Sequence, residues 1–352
     1  MKIKVLKFGG TSVGSIEAIK RSAEIIHDWS KKSKVIAVLS AMSGETDRLI
    51  NLTKSFSKNP NPIDFDNAIS SGENVSCALM SICLNNQKIK AKSLLSWQIP
   101  IITSSEHMKS RILSINKKFL YDELENFEVL LIPGFQGINN KGELTTLGRG
   151  GSDTSAVAVA AAMETECIIY TDVEGVFTTD PNIVPKAKKI NKISYEEMLE
   201  LASQGAKVLQ TRSVELAMRK NTKLSVRSSF KPKKIGTMIT DEKSVLENNT
   251  VSGITYSKDE AKITLSRVQD KPGVSSKIFG PLAKGNINVD MILQNISQDG
   301  KFANLSFTLP RLDLEKALKI LKKEKSIIGY KKIISSNNCL LYTSDAADEC
   351  SG

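Results

Sequence analysis

The chain has 352 residues, of which 40% are hydrophobic and 25% charged, and its formal net charge at pH 7 is +11. These values are typical of a globular protein with two or more domains, and no apolar run approaches the roughly 20 residues that span a bilayer. The five cysteines have no CxxC or metal-ligand spacing and the N-terminus has no signal-peptide pattern, so we expect a cytosolic protein.

The first predicted element is a short strand at Lys4–Leu6 that ends in a glycine turn. The run KFGGTS occupies residues 7–12, so a lysine stands just before two glycines and two hydroxyl residues follow. Glycines allow backbone N–H groups to approach a ligand closely, and the lysine adds a positive charge. This combination suits phosphate, although it is not a P-loop, and on its own the run is equally compatible with an ordinary strand-to-turn junction.

Strands and helices alternate through the next part of the chain. A helix is predicted over Ile16–Ser30, and continuous apolar runs at Val35–Leu39, Val129–Ile132 and Ile168–Tyr170 each end in small or polar residues. Continuous runs indicate strands buried on both faces. The order predicts a mostly parallel sheet with helices on both faces, in which ligands bind at the carboxyl ends of the strands.

A second glycine loop lies at residues 145–153 and precedes an alanine-rich helix predicted over Thr154–Met163. Ser152 or Asp153 is the expected N-cap, and the helix N-terminus presents N–H groups and a positive dipole to an anion. Arg149, within the glycine run, adds a fork suited to a carboxylate or phosphate. The alternative is a flexible loop before a capped helix.

Two further segments place charged residues beside apolar helical patterns. Glu73 falls in the first turn of a helix that continues through Leu79 and Met80, where a carboxylate can simply complement the dipole. Lys207 follows Gly205 and lies in an apolar helical context, from which its side chain could extend to the surface. Together with Lys7, Lys207 could place a second cation beside a transferred phosphoryl group.

The pattern changes near residues 244–250, after which a strand–helix–strand–strand–helix order predicts a small ferredoxin-like module. Its predicted elements are Ile263–Ser266, Val274–Lys284, Ile287–Gln294, Ala303–Leu309 and Leu314–Lys323. Residues 339–352 have no core periodicity and are similar to the translation of a sequencing adapter, so we treat them as a tail outside the fold. On this interpretation the natural chain continues beyond about residue 338.

These segments in order resemble the amino-acid kinase family, and specifically the aspartate kinases. The resemblance covers residues 2–338 and rests on residues 7–13, 71–73, 146–154, 170–173 with 179–181, and 205–208. It implies an α/β fold with a mostly parallel sheet sandwiched by helices, followed by a ferredoxin-like ACT domain. The expected domains are a catalytic domain at 1–245 and an ACT-like domain at 246–338, with a second ACT domain missing and a tail at 339–352.

The resemblance implies ATP-dependent phosphorylation of the side-chain carboxylate of L-aspartate, the first step of lysine, threonine and methionine biosynthesis. Catalysis is assigned to Lys7, Asp153 and Lys207. The aspartate ligands are Ser40, Thr46, Glu73, Arg149, Ser152 and Asp153. The nucleotide ligands are Lys7, Gly9, Gly10, Ser12, Thr171, Asp172, Phe177, Asp180 and Lys207. No protein residue is assigned to a metal, because Mg²⁺ is expected to be held mainly by the nucleotide and water.

The ACT-like module is expected to bind lysine or threonine as an effector and to associate with a second copy of the chain. Its implied effector ligands are Asp270, Gly273, Asn288, Gln294 and Asn295. With a single such module we expect catalysis with weak regulation, since coupling needs two complete states. Phe177 and Asn182 stand where the family usually has tyrosine and arginine, which affects nucleotide affinity rather than reaction type.

Three other functions stay open. A kinase for glutamate, N-acetylglutamate or UMP would share the fold, but Arg149 with Glu73 and Asp153 favours a free α-amino acid. A catalytically silent amino-acid sensor would not need Lys7 or Lys207. A nucleic-acid-binding protein rests on net charge alone, and because the lysines are dispersed and aromatics make up only 5% of the chain, we expect no nucleic-acid partner.

Overall fold

The computed structural model describes residues 2–99, 101–206, 208–241, 251–285, 287–297 and 301–346. The chain divides into two compact units, Met1–Ile254 with Ser344–Gly352 and Thr255–Thr343. Over the described ranges, none of the helices combines the length and the apolar character that a membrane span requires.

The first unit contains twelve strands and eight helices among its described residues. The strands are β1 (Ile3–Phe8), β2 (Lys34–Leu39), β3 (Ala91–Ser93), β4 (Ile101–Thr103), β5 (Ile112–Ile115), β6 (Val129–Pro133), β7 (Gln136–Ile138), β8 (Leu144–Thr146), β9 (Cys167–Thr171), β10 (Lys192–Ser194), β11 (Leu224–Ser228) and β12 (Thr237–Thr240). The helices are α1 (Ile16–Ser30), α2 (Glu45–Phe56), α3 (Pro62–Ile69), α4 (Ser71–Asn86), α5 (Lys117–Asn126), α6 (Gly151–Ala162), α7 (Tyr195–Ser203) and α8 (Thr211–Lys220).

The main sheet has eight strands in the order β10-β12-β11-β9-β1-β2-β6-β3. Only β11 and β12 pair antiparallel, and β9, β1, β2 and β6 are parallel neighbours at the centre. Their carboxyl ends therefore meet at one edge of the sheet. The predicted mostly parallel sheet is confirmed, and the central strands begin and end within one residue or two of the predicted runs.

Helices cover both faces of this sheet because β1 presents successive buried residues to opposite sides. Leu6 belongs to one buried cluster with Ile26 of α1 and Met80 of α4, whereas Val5 belongs to another with Val157 of α6 and Val214 of α8. Burying each such side chain fully contributes about 1.5–3 kcal/mol. The two apolar layers hold the central strands in place, so residues just beyond the carboxyl ends of these strands are fixed in position.

A second, smaller sheet has the order β5-β4-β7-β8 and was not predicted. Its strands are three or four residues long, too short for a period of two to stand out in the sequence. Strand β8 ends at Thr146 and leads directly into the glycine loop that carries Arg149.

The second unit contains a four-stranded sheet in the order β14-β15-β13-β16 and three helices. The strands are β13 (Val251–Gln269), β14 (Ile292–Ile296), β15 (Phe302–Pro310) and β16 (Lys332–Ala346), and the helices are α9 (Val274–Lys284), α10 (Leu314–Lys323) and α11 (Lys325–Ile328). Ile278, Leu282, Phe307 and Leu321 are fully or almost fully buried between helices and sheet. The ferredoxin-like ACT fold is confirmed, and α9 and α10 have the predicted bounds.

Two predictions for this part of the chain were wrong. The strand predicted over Ile287–Gln294 begins only at Ile292, because the N–H of Ile287 donates to the carbonyl of Leu282 and so closes helix α9. Strand β16 continues to Ala346 and thus includes residues 339–346, which were predicted to lie outside the fold. Tyr342 and Thr343 are of residue types that are enriched in strands, which is compatible with this extension.

Candidate active site

Lys7 and Asp153 form the centre of the candidate site. Lys7 is in β1, in register with Val38 of β2 and Ile169 of β9, and Asp153 is in the first turn of α6. Their side chains are 11% and 10% exposed, and Lys7 Nζ lies 2.6 Å from Asp153 Oδ1. Two residues predicted to act in catalysis are therefore in direct contact at the centre of the main sheet.

The glycine turn after β1 packs tightly against the end of β2. The N–H of Ser40 donates to the carbonyl of Phe8 at 3.1 Å, and a Cβ added at Gly10 would lie only 3.0 Å from the carbonyl oxygen of Ala41. A Cβ at Gly9 would lie 3.5 Å from Lys7 Nζ. Glycine at position 10 therefore allows the turn to approach the carbonyl of Ala41 closely, and Gly9 leaves space beside the Lys7 ammonium.

Glu73 joins the same edge of the sheet from the first turn of α4. Its Oε1 accepts a hydrogen bond from the N–H of Ala41 at 3.1 Å, whereas its buried Oε2 has no partner among the described residues. Burial raises the pKa of Glu73 to about 7, although the hydrogen bond from Ala41 lowers it. The carboxyl is thus poised between its protonated and ionised forms near neutral pH, as perturbed groups in functional sites often are.

The loop before α6 differs from the prediction. Gly150, rather than Ser152 or Asp153, is the N-cap, with a left-handed φ of 72°, and no side chain caps the helix. Ser152 and Asp153 lie in the first turn and are buried. The left-handed conformation allows the chain to turn from β8 into α6 within a few residues, so that Asp153 reaches Lys7.

Arg149 extends from this loop into solvent, with its side chain 92% exposed. Its Nη2 lies 3.4 Å from Oδ1 of Asp47, in the first turn of α2 and next to Thr46. The contact brings the loop and the start of α2 together. A guanidinium that is free of any tight partner among the described residues is available to bind an anion.

Four of the predicted nucleotide ligands lie at the end of β9 and in the segment after it, namely Thr171, Asp172, Phe177 and Asp180. Gly9 donates its N–H to the carbonyl of Tyr170, and the hydroxyl of Thr171 donates to Asp172 at 3.0 Å. Ser12 is fully buried and its hydroxyl donates to that of Ser229, so it joins the first turn to the residue after β11 rather than pointing into open space.

Phe177 and Asp180 lie farther along the same segment. Phe177 forms an isolated bridge with Lys189, and Asp180 Oδ1 accepts from the N–H of Asn182 at 2.9 Å. In the described part of the chain, no hydrogen bond or ion pair joins either residue to Lys7 or Asp153.

Lys207 lies outside the described residues. The prediction for Lys207 is therefore untested, and of the residues before it, Gly205 and Ala206 follow the end of α7 at Ser203. Gly205 has a φ of +116°, which ends the preceding helical pattern.

The predicted effector ligands fall into two groups. Gln294 Nε2 donates to Asp270 Oδ1 at 3.0 Å, and Gly273 is the left-handed N-cap of α9. Asn288 precedes β14 and is exposed, as is Asn295 within that strand.

Three polar residues that support the site were not predicted. Asp66 of α3 is fully buried and accepts from the N–H and hydroxyl of Thr146. Gln210 donates its N–H to Asp153 Oδ2 at 3.4 Å, and Arg212 donates to the carbonyl of Leu147 at 2.7 Å. The sequence held one signal, a carboxylate at position 66 on the same helix face as the apolar Ile69.

The arrangement suits transfer of a group between two anions. A partly buried ammonium, an exposed guanidinium and the N-termini of α4 and α6 place positive charge or dipole at one edge of the sheet, while Asp153 and Glu73 can receive a cation.

Comparison with known proteins assigns both parts of the chain. A model of the amino acid kinase family matches residues 2–228, and a model of the ACT domain matches residues 263–326. The aspartate kinase of Pseudomonas putida is 47% identical over 337 residues, covering 95% of this chain and 82% of that protein. The aspartokinase of Helicobacter pylori strain 26695 is 48% identical over 324 residues, covering 90% of this chain and 80% of that protein.

Solved structures show the same fold. The aspartokinase III of Escherichia coli in complex with aspartate and ADP matches with a TM-score of 0.79 at 23% identity, covering 98% of this chain and 87% of that one. The aspartate kinase of Synechocystis matches with a TM-score of 0.62 at 36% identity, covering 98% of this chain and 60% of that one. The chain therefore belongs to the amino acid kinase family, within which it is an aspartate kinase.

Proposed function

We propose that the chain phosphorylates the side-chain carboxylate of L-aspartate with ATP in the cytosol, giving 4-phospho-L-aspartate. The observation that carries the proposal is the Lys7–Asp153 ion pair at the carboxyl ends of the central strands, with Glu73 bound to the N–H of Ala41 just beyond β2. The substrate carboxylate is already ionised at neutral pH, so the reaction needs no general base. Catalysis then depends on positioning and on fixed positive charge around the transferred phosphoryl group.

The α-carboxylate and the ammonium group of aspartate each have partners of opposite charge. Arg149 binds the α-carboxylate, with Thr46, Ser40 and Ser152 lining the same region, and Glu73 and Asp153 receive the ammonium group. Lys7 then faces the side-chain carboxylate and the incoming phosphoryl group. The exposure of Arg149 supports this role, because its guanidinium gives up only a 3.4 Å contact with Asp47 on binding.

The nucleotide binds along the first glycine turn and the end of β9, with Gly9, Gly10, Ser12, Thr171, Asp172, Phe177, Asp180 and Lys207 as its ligands. Mg²⁺ accompanies ATP. Among the described residues no group of three or more His, Cys, Asp or Glu side chains could hold a metal ion. We expect this ion to be bound mainly by phosphate oxygens and water, as is usual for Mg²⁺. When bound, Mg²⁺ neutralises charge on the phosphates.

The ACT domain, which we place at residues 246–338 after a catalytic domain at 1–245, binds lysine or threonine and pairs with a second copy. The Asp270–Gln294 contact and the open turn at Gly273 offer polar groups for an amino acid. Every residue of the edge strand β14 is exposed, including Ile292, Leu293 and Ile296. An exposed apolar edge strand is suited to pairing with another chain.

Hydroxamate trapping of the acyl phosphate tests the activity, with aspartate, glutamate and N-acetylglutamate as parallel substrates. We expect an ATP-dependent signal with aspartate alone, which Lys7→Met and Lys207→Ala strongly reduce. A signal with another acid would keep the fold and overturn the substrate. A folded, nucleotide-binding protein without any signal would favour the amino-acid sensor.

A further inference from the structure

The loop that carries Arg149 joins β8 to α6 and is held through its backbone. The N–H of Leu147 donates to the carbonyl of Phe135 at 2.8 Å, and the N–H of Gly151 donates to the carbonyl of Gly148 at 3.0 Å. The Arg149 side chain itself is 92% exposed and cannot fix the loop. The position of its guanidinium therefore depends on groups that form hydrogen bonds with the backbone on either side of Arg149.

Arg212, in the first turn of α8, forms one such hydrogen bond. Its Nη1 donates to the carbonyl of Leu147 at 2.7 Å, two residues before Arg149, and its Nη2 donates to the carbonyl of Ser110 at 3.0 Å. Ser110 is itself joined to β8, because its N–H donates to the carbonyl of Thr146 at 3.0 Å. One planar guanidinium thus fastens the base of the loop to the segment before β5.

Asp66 binds the neighbouring residue of the chain, Thr146. Its carboxylate accepts from the N–H of Thr146 at 3.1 Å, from the Thr146 hydroxyl at 2.6 Å, and from the N–H of Met108 at 3.0 Å. Nδ1 of His107 lies 2.9 Å from the same carboxylate. Residues 146 and 147 are therefore held between a buried anion and a half-buried cation.

The chemistry of Arg212 fits a positioning role better than a surface role. The described residues give Arg212 no ion pair, so backbone carbonyls are its partners, and two of them at separate places need the fork of a guanidinium. The residue two positions earlier, Gln210, donates its N–H to Asp153. The start of α8 thus contacts both the loop that carries Arg149 and Asp153, which pairs with Lys7.

We propose that Arg212 is a positioning residue for aspartate binding, which orders the loop 147–151 so that Arg149 meets the α-carboxylate. The proposal rests on the proposed function for the identity of the ligand. A displacement of about 1 Å in a binding group can cost up to about hundredfold in rate or affinity. Loss of the Arg212 contacts should therefore weaken aspartate binding without changing the nucleotide side.

The first test is Arg212→Ala, with Arg219→Ala as the matched control in the same helix, since Arg219 is exposed and pairs only with Glu215 among the described residues. We expect Arg212→Ala to raise KM for aspartate about tenfold and to leave KM for ATP within about twofold. Added guanidinium ion should restore part of the aspartate affinity. Arg212→Lys, which retains the charge, should fold and give an intermediate KM. Equal changes in both KM values without rescue would overturn the proposal.

The second test asks whether Arg212 acts through Arg149. In an Arg149→Ala background, Arg212→Ala should cause little further loss of aspartate affinity, and the same loss as in the wild type would overturn the proposal. Hydrogen exchange of residues 147–151 gives a readout independent of activity, and it should be faster in Arg212→Ala. Unchanged exchange would also overturn the proposal. Faster exchange in a protein that does not phosphorylate aspartate would support the positioning role and contradict the proposed function.

Discussion

Lys7 Nζ lies 2.6 Å from Oδ1 of Asp153 with both side chains about nine-tenths buried. The ammonium thereby sits close to the N-terminus of α6, where the positive end of the helix dipole alone would disfavour a cation. Asp153 offsets that cost. The pair gives each buried charge a counter-charge, so each residue depends on the other.

The first prediction concerns this dependence. Lys7→Met and Asp153→Asn should each lower the free energy of unfolding by about 3 kcal/mol, because removal of one partner leaves a buried charge unpaired. The double variant should lose clearly less than the sum of the two. Urea unfolding of the four proteins measures the coupling, and additive losses would contradict it. The exposed pair Lys31–Asp28, with side chains 56% and 69% exposed, should give a coupling near zero.

In activity, Lys7→Met should reduce kcat about 100-fold to 1,000-fold, since it removes a fixed charge from the transferring group. The loss should persist at saturating aspartate and ATP. A variant that regains the wild-type kcat at high substrate concentration would show that Lys7 only contributes to binding.

The sequence predicted the central strands and the residues at their ends because both leave local signals. Continuous apolar runs mark Val35–Leu39 and Val129–Ile132, and glycines beside charged residues mark the loops. By contrast, Asp66 and Arg212 act through contacts with carbonyls and N–H groups far away in the chain. No local pattern specifies such partners, so these contacts emerge only in the fold, where β8 lies beside α3 and Leu147 is within reach of α8.

The N-cap of α6 shows a similar limit. Ser152 and Asp153 have the side chains that cap helices, and propensity favours them over glycine at this position. Instead Asp153 lies in the first turn of the helix, where its carboxylate reaches Lys7, and Gly150 is the N-cap in a left-handed conformation. A local preference gives way here to the ion pair between Asp153 and Lys7.

The second prediction concerns the pH dependence of stability. Burial raises the pKa of Glu73 to about 7 from an ordinary value of 4.5. Between these values the folded chain binds a proton that the unfolded chain has released, so the free energy of unfolding falls as the pH rises through this window. In Glu73→Gln, whose side chain stays neutral, the free energy of unfolding should decrease by up to about 3 kcal/mol less over the same window. Urea unfolding at several pH values measures the difference, and parallel curves for the two proteins would refute the assignment.

Glu73 should also govern the pH dependence of aspartate binding. If Glu73 binds the substrate ammonium as proposed, only its ionised form attracts that group, so KM for aspartate should decrease as the pH rises through about 7. In Glu73→Gln, KM should be higher and should no longer change over this range. A wild-type KM that is constant between pH 6 and about 8 would count against an ammonium-binding role, because a carboxyl with this pKa would change its charge there.

The third prediction separates binding from stability at Arg149. Arg149→Ala should raise KM for aspartate about tenfold or more, because a charge-assisted pair with the α-carboxylate is lost. The melting temperature should stay within about one degree, since the side chain is 92% exposed and its only ion pair among the described residues is weak. Asp47→Asn is the control, because it removes the same contact but keeps the guanidinium. This variant should bind aspartate at least as tightly as the wild type, and a large loss would transfer the role to Asp47.

The last prediction concerns Gly150, which is in the left-handed region at φ +72° and faces Gln210. A Cβ at position 150 would lie 2.8 Å from Gln210 Cβ and closer still to its Cγ, whereas a Cβ at Gly142, with φ +77°, meets no atom within 4 Å. Both alanine variants carry the same backbone strain of about 1 kcal/mol. Gly150→Ala should be destabilised beyond Gly142→Ala, and it alone should raise KM for aspartate, because Gln210 also contacts Asp153. Equal effects of the two substitutions would mean that the contact with Gln210 does not hold the loop in place.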